Sequence, residues 1–181
     1  MARKILIIGG VAGGATAATR LRRLSETDNI ILFEKGEYIS FANCGLPYHV
    51  GGVIKERDNL LLQTVEGMEK QYNLDIRNFS EVTSIDPVEK TVTVYHHQTK
   101  QTYVESFDEL ILSTGAKAIV PAIDGLDQAN NVFSLRNIPD MDQIQAYIKA
   151  NNVQTATVIG GGFIGLEMME NLVELGIQVQ L

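Results

Sequence analysis

Lys4-Ile5-Leu6-Ile7-Ile8-Gly9-Gly10-Val11-Ala12-Gly13-Gly14 stands near the start of the chain, and its pattern returns in Ala156-Thr157-Val158-Ile159-Gly160-Gly161-Gly162-Phe163-Ile164-Gly165, 151 positions on from Gly9 to Gly160. In both copies a short apolar run enters a glycine-rich turn. An apolar run without alternation marks a strand covered on both faces, the covering elements here being expected to be helices. After the first turn come small residues and then arginines, which predicts a helix over Ala15–Ser25. Asn29–Glu34, holding Ile30, Ile31, Leu32 and Phe33, reads as a second buried strand. This strand–helix–strand unit has the size of a parallel crossover.

The second turn matches G-x-G-x-x-G through Gly160, Gly162 and Gly165, ahead of a helix expected over Leu166–Leu175. The first glycine permits the tight turn, the second lets a pyrophosphate approach, and the third lets helix and strand pack closely. Phosphates then meet free N–H groups at the positive end of the helix dipole. The first turn departs from this pattern, because Val11 stands where the second glycine belongs. A tight turn without a ligand is one reading of it. Nucleotide binding is the other, and two features favour it. Glu34 follows Gly14 by twenty residues, where a carboxylate accepts hydrogen bonds from a ribose, and Ala12, Gly13 and Ala15 leave the backbone open. The same spacing after Gly165 puts the residue that separates NAD from NADP at position 185, beyond Leu181. Gln178–Leu181 therefore reads as an interrupted strand, and the chain as a piece of a larger protein.

Between the two units, Lys35–Pro47 is a polar loop, and a helix is expected over Thr64–Tyr72 with Thr64 as N-cap. From Val82 to Phe107 the period changes to two, with a polar turn near Gln98-Thr99-Lys100, which predicts a hairpin or small meander. Glu109–Ser113 is another buried strand, Pro139–Ala150 an amphipathic helix, and Ala156–Ile159 the strand of the second unit.

The 181 residues suit one to two domains. A composition of 45% hydrophobic and 20% charged residues, with 16 Gly, 4 Pro and no Trp, excludes disordered, collagenous and disulfide-scaffold classes. Fifteen basic against twenty-two acidic residues, net −7, argue against general nucleic-acid binding but allow a local basic patch for one small anion. No apolar run reaches the roughly 18–20 residues that span a bilayer. Arg3 and Lys4 before Ile5–Ile8 imitate a signal peptide, but the run stops at Gly9 and continues into Arg20-Leu21-Arg22-Arg23. No membrane partner and a cytoplasmic location are expected. His49, His96 and His97 have no metal-site spacing, the last two being expected in solvent beside a hairpin turn.

Cys44 is the one cysteine, so this chain can form neither an internal disulfide nor a C-x-x-C shuttle. A free cysteine often serves as a small buried hydrophobe. Here it lies in Ser40-Phe41-Ala42-Asn43-Cys44-Gly45-Leu46-Pro47-Tyr48, a polar loop after a nucleotide-binding strand, with Pro47 suited to the first turn of a following helix. A helix N-terminus favours the reactive thiolate.

With the Gly9–Ala15 and Gly160–Glu167 turns, this loop resembles the single-cysteine flavin disulfide reductases, and within them the coenzyme A-disulfide reductases. The likeness extends to the subgroup with a C-terminal rhodanese domain, described as NADH-dependent persulfide or polysulfide reductases. It covers the whole chain, including Ser134–Asp142. The fold it implies is α/β: an FAD/NAD(P)-binding Rossmann-like parallel sheet with an inserted β-hairpin or meander, then the start of a second Rossmann-like domain. The boundaries are 1–118 for the N-terminal segment of the FAD-binding domain, 119–150 for the connection and linker helix, and 151–181 for the start of the NAD(P)H-binding domain.

The resemblance also implies roles. Gly9, Val11, Ala12, Gly13, Gly14, Glu34 and Lys35 would hold FAD, Val82 would face the adenine, and Ser113-Thr114-Gly115 would close over the flavin. Gly160, Gly162, Phe163, Ile164, Gly165 and Glu167 would receive NADH, with NADPH left open, and Phe163 would lie near the flavin until nicotinamide displaces it. Thr16, Arg20, Arg23, Ser40 and Asn43 would hold coenzyme A. Thr16, Arg20 and Arg23 share a helix face and could meet phosphates, the alternative for the arginines being a solvated helix end. A lysine that contacts this ligand in some relatives is replaced by Tyr72, with Lys70 nearby. Cys44 would be the catalytic residue, reducing a small disulfide or persulfide in a homodimer. An NADH oxidase or peroxidase cycling Cys44 through sulfenic acid, and a non-catalytic flavin-binding module, are the other readings.

Overall fold

The computed structural model describes residues 2–181. Its elements run β1 (Lys4–Ile8), α1 (Ala12–Leu24), β2 (Asn29–Phe33), α2 (Leu46–Val50), α3 (Val65–Tyr72), β3 (Asp75–Arg77), β4 (Ser80–Asp86), β5 (Thr91–His96), β6 (Gln101–Ser106), β7 (Glu109–Leu112), α4 (Ile138–Asn151), β8 (Thr155–Thr157), α5 (Phe163–Glu174) and β9 (Gln178–Gln180). Short 3-10 turns occupy Asn43–Gly45, Arg57–Leu60 and Leu126–Gln128. The chain forms two compact units. The first is the chain up to Phe41 with Leu61–Gly115, and the second is Ala42–Leu60 with Ala116–Leu181.

In the first unit a parallel sheet of order β3-β2-β1-β7 is built around the apolar runs. Ile5 pairs with Ile30 and Ile8 with Phe33. Period-two alternation splits these strands between two cores. Ile7, Ile30 and Leu32 pack with Ala15, Ala18, Met68, Leu74 and Ile76 on the side of α1 and α3. Leu6, Ile8, Ile31 and Phe33 pack with Val92 and Val94 on the other side. The expectation of helices on both faces is therefore corrected: the second face is covered by an antiparallel meander of order β4-β5-β6. The alternating valines of β5 explain this, since Val92 and Val94 point one way and are fully buried. Each such side chain stabilises the fold by about 1.5–3 kcal/mol on burial.

Ion pairs join meander and sheet inside this unit. Glu105 on β6 accepts from Lys4 on β1 and, at 2.6 Å, from Arg77 on β3, while Arg77 also binds Asp75 at 2.6 Å. The Arg77 guanidinium lies 5.5 Å from the Phe33 ring centre and 5.8 Å from that of Tyr103. Burial raises the Glu105 carboxyl, but the hydrogen bonds from Lys4 and Arg77 outweigh it and hold the group below its ordinary range.

Several bounds differ from expectation. Helix α1 starts at Ala12, three residues before the expected Ala15, because Ala12, Gly13 and Gly14 form its first turn. Helix α5 likewise starts at Phe163 instead of Leu166. Strand β3 was not foreseen: Asp75-Ile76-Arg77 has one apolar residue between two charges and pairs at the sheet edge with β2. Helix α3 begins as expected, with the Thr64 hydroxyl accepting from the Gly67 N–H.

In the second unit, α4 is closed by a capping box between Asn137 and Asp140. Strand β8 covers Thr155–Thr157 instead of Ala156–Ile159 and pairs in parallel with β9, placing Ala156 opposite Val179.

Candidate functional site

Gly9 has φ +103°, and its N–H donates to the Phe33 carbonyl at 2.8 Å. A Cβ there would lie 2.2 Å from the Ser113 carbonyl oxygen, so only glycine lets the chain leave β1 beside β7. A Cβ on Gly14 would lie 1.7 Å from the Gly9 carbonyl oxygen, which means the last glycine of the turn rests on the first. Gly160 and Gly165 repeat this relation, with φ +115° at Gly160 and 1.9 Å from a Gly165 Cβ to the Gly160 oxygen. The two turns are thus built alike despite Val11.

The second glycine obeys a different logic. A Cβ on Gly162 would meet nothing within 4 Å, and Gly162 is extended, with φ −76° and ψ 174°. The chain itself does not require a glycine there, whereas a phosphate approaching the backbone does. Val11 takes the equivalent N-cap place before α1, half-exposed.

The helix ends carry the same message. Helices α3 and α4 have side-chain caps and an acidic residue in the first turn. Helices α1 and α5 have neither. Their first N–H groups lack a side-chain cap, and their first turns hold no acidic residue, which leaves these groups available to a phosphate. Glu34 sits at the end of β2 with Oε2 accepting from Gly10 N–H at 2.8 Å and Oε1 from Gly36 N–H at 2.9 Å. Each carboxylate oxygen keeps a second lone pair, so ribose hydroxyls remain acceptable partners.

The remaining expected nucleotide residues are spread as follows. Ser113 continues β7, donating its N–H to the Ile8 carbonyl at 2.8 Å, and Gly13 approaches the Ser113 hydroxyl. Thr114 and Gly115 are exposed, with φ +67° at Gly115. Ala12 and Lys35 are exposed, and Val82 packs partly buried against the meander-side core. In the second unit Phe163 is 88% exposed and Ile164 is exposed, while the Glu167 carbonyl accepts from the Asn171 side chain at 2.8 Å.

Cys44 is exposed in the 3-10 turn Asn43–Gly45, immediately before α2, with Pro47 in the first turn of that helix. The loop is closed at its base by the Ala42 N–H on the Leu60 carbonyl at 2.8 Å. Gly45 packs so tightly that a Cβ would lie 2.6 Å from Leu60 Cδ2. Asn43 is half-buried and engaged in contacts of its own. Ser40, in the first unit, adopts φ +44°, donates to the Gly10 carbonyl at 3.0 Å and accepts from the Leu62 N–H at 3.0 Å.

A family model described as pyridine nucleotide-disulphide oxidoreductase matches residues 3–181. The chain belongs to the pyridine nucleotide-disulphide oxidoreductase family. Its relatives include the coenzyme A disulfide reductase of Staphylococcus aureus strain JH9, 42% identical over 178 residues, which are 98% of this chain and 40% of the relative. The crystal structure of reduced Bacillus anthracis CoADR-RHD is similar with a TM-score of 0.98 and 61% identity, covering 99% of this chain and 32% of that one. A NAD-dependent persulfide reductase from A. fulgidus is similar with a TM-score of 0.91 and 35% identity, covering 97% of this chain and 32% of the other. The chain therefore spans about two fifths of the curated relatives it matches.

For a pyridine nucleotide-disulphide oxidoreductase, the arginines of α1 fall into two kinds. Arg22 donates to the carbonyls of Ser25, Glu26, Tyr72 and Asn73 at 2.8–3.1 Å and ties the end of α1 to the end of α3. Thr16, Arg20 and Arg23 lie exposed on the other side, and among the described residues neither Arg20 nor Arg23 has an ion-pair partner. Tyr72 packs against the helix-side core, while Lys70 is exposed.

His49 is buried, its Nδ1–H donating to the Ile54 carbonyl at 2.7 Å. His97 is half-exposed and pairs with Glu81 at 2.9 Å, and His96 accepts from the Thr99 N–H, so neither is simply solvated as expected. Among the described residues no group of three metal-ligating side chains converges, and no helix is long and apolar enough to cross a membrane. Sequence reasoning missed Arg57, Asp142 and Gln145. Arg57 holds Asp142 of α4 through contacts of 2.8, 2.9 and 3.2 Å, and Gln145 donates to the His49 carbonyl at 3.2 Å. No local pattern marks residues 85 positions apart.

Proposed function

We propose that the protein carrying this chain reduces low-molecular-weight disulfides or persulfides with NAD(P)H, using FAD and the single thiol of Cys44. Coenzyme A disulfide, coenzyme A persulfide and polysulfide are the substrates that this reading covers, and the working form is a homodimer. The observation that carries it is the pairing, in one chain, of two uncapped glycine-turn helices with one exposed cysteine in the loop after Glu34. The residues fit both nucleotides: acid-free helix N-termini suit pyrophosphates, Glu34 suits a ribose, and the open space at Gly162 suits a close-lying phosphate.

The Cys44 thiolate attacks one sulfur of the substrate disulfide, forming a Cys44–S–S–R bond while the other half leaves as a thiolate. From a persulfide the same attack on the outer sulfur leaves a Cys44 persulfide and releases the thiol. Bound FAD supplies a two-electron path from NAD(P)H. Two electrons and a proton then return Cys44 to the thiolate and release R–SH, or hydrosulfide from the persulfide. A second sulfur is not needed from the chain, because the substrate provides it.

The test is Cys44→Ser in the full-length flavoprotein. Turnover of NADH with coenzyme A disulfide and persulfides should be lost while flavin content stays at the parent level. Full turnover by the variant would overturn the reading. Faster NADH consumption with oxygen or peroxide than with any disulfide would replace it with the oxidase or peroxidase alternative.

A further inference from the structure

We propose that Arg57 and Asp142 are positioning residues for Cys44: their paired guanidinium and carboxylate fasten the Ala42–Leu60 loop to helix α4 and thereby set where the thiol is held. The inference rests on Cys44 being the reacting thiol. It concerns what fixes an exposed side chain in place.

Cys44 is exposed, so its place must come from the backbone around it. The neighbouring Gly45 packs on Leu60 and Ile54, and Leu60 also closes the loop through its carbonyl on Ala42. Leu60 ends the 3-10 turn that Arg57 begins. Arg57 is gripped by Asp142 through both Nε and Nη2, a fork geometry that fixes direction as well as distance. One turn further along α4, Gln145 holds the carbonyl of His49, whose ring holds the carbonyl of Ile54. Two neighbouring residues of one helix face thus grip both arms of the loop.

A half-exposed ion pair of this kind, with side chains 32% and 39% exposed, adds little to stability. Geometry is a different matter, since a misplacement of about 1 Å at a reacting group can cost around a hundredfold in rate.

The experiment uses the full-length flavoprotein with Arg57→Gln, Asp142→Asn, the double variant and Arg57→Lys. Two readouts are taken: kcat and KM with coenzyme A disulfide and NADH, and the rate of Cys44 alkylation by iodoacetamide, followed on the Cys44 peptide by mass spectrometry. Each single variant should lower kcat by about tenfold or more with KM for NADH unchanged, and should change the alkylation rate by about threefold or more. The double variant should match the single ones, because the two groups act as one. Arg57→Lys keeps the charge without the fork and should remain slow. Parent-like kcat and alkylation in both single variants would overturn the proposal. So would losses that multiply in the double variant, or that track a fall in melting temperature and flavin content. Turnover by Cys44→Ser would sink the proposed function instead, while alkylation in the Arg57 and Asp142 variants would still report on the thiol's placement.

Discussion

The Glu34 carboxylate accepts the Gly10 N–H at 2.8 Å, joining the end of β2 to the turn that leaves β1. Its other oxygen accepts the Gly36 N–H. One side chain therefore shapes the first glycine turn and presents the acceptor expected for a ribose. Glu34→Gln should separate these roles poorly, because an amide nitrogen placed toward either N–H meets a donor. We expect a loss of about 1–3 kcal/mol on thermal or denaturant unfolding, together with weaker FAD retention, and Glu34→Ala should lose flavin as well. Unchanged stability and flavin content in Glu34→Gln would contradict this.

Gly9 and Gly162 make opposite predictions from the same motif. Gly9→Ala places a Cβ 2.2 Å from the Ser113 carbonyl oxygen at a φ of +103°, so the strand exit must distort. The cost should be about 3 kcal/mol or more, read as a lower melting temperature or as failure to fold. Gly162→Ala meets nothing within 4 Å and should fold normally. Its defect should appear as a KM for NAD(P)H raised by about tenfold, with kcat for a saturating donor largely kept. A Gly162→Ala protein with parent-like KM would show that this backbone does not approach the nucleotide.

The parts of this fold that were legible in sequence are those decided within a few residues. Apolar runs at Lys4–Ile8 and Asn29–Phe33, the Thr64 cap and the alternation at Val92 and Val94 all carry their own signal. The glycine turns were readable as tight exits from strands, yet the helical start at Ala12 was not, because a glycine-rich stretch reads as a turn. Gly14 must be helical to rest on the Gly9 carbonyl, and that contact exists only in three dimensions. What was illegible is long-range. Strand β3 exists because β2 offers it an edge, and Arg57 meets Asp142 across 85 residues. Which element covers the second face of the sheet depends on the meander docking there, a choice that apolar strands alone leave open.

Acid should weaken the first unit through Glu105. Lys4 and Arg77 hold this carboxyl below its ordinary range in the folded chain, whereas the unfolded group titrates near about 4.3. Between those two values the unfolded chain binds a proton that the folded chain does not, so stability rises with pH there. The contribution is complete above the unfolded value and is lost as pH falls through the folded one. Melting curves from neutral pH down to about pH 3 should show Glu105→Gln less stable than the parent at neutral pH, with the gap closing in acid. A gap that is constant with pH would mean that the ion pairs contribute nothing through Glu105 ionisation.

Arg22 and its neighbours on α1 give the sharpest division between structure and ligand. Arg22 donates to four carbonyls, at Ser25, Glu26, Tyr72 and Asn73, so Arg22→Ala should lose about 1–3 kcal/mol of stability by orphaning groups at two helix ends. Arg20 and Arg23 are exposed, and Arg20→Ala and Arg23→Ala should change stability by no more than about 0.5 kcal/mol. Their effect should fall on a phosphate-bearing substrate. Removing one charge-assisted contact should raise KM for coenzyme A disulfide by about tenfold while KM for NADH stays put, and added salt should narrow the difference between parent and variant. If both variants keep the parent KM for coenzyme A disulfide, the exposed face of α1 is a solvated helix end, and the anionic ligand must be held elsewhere.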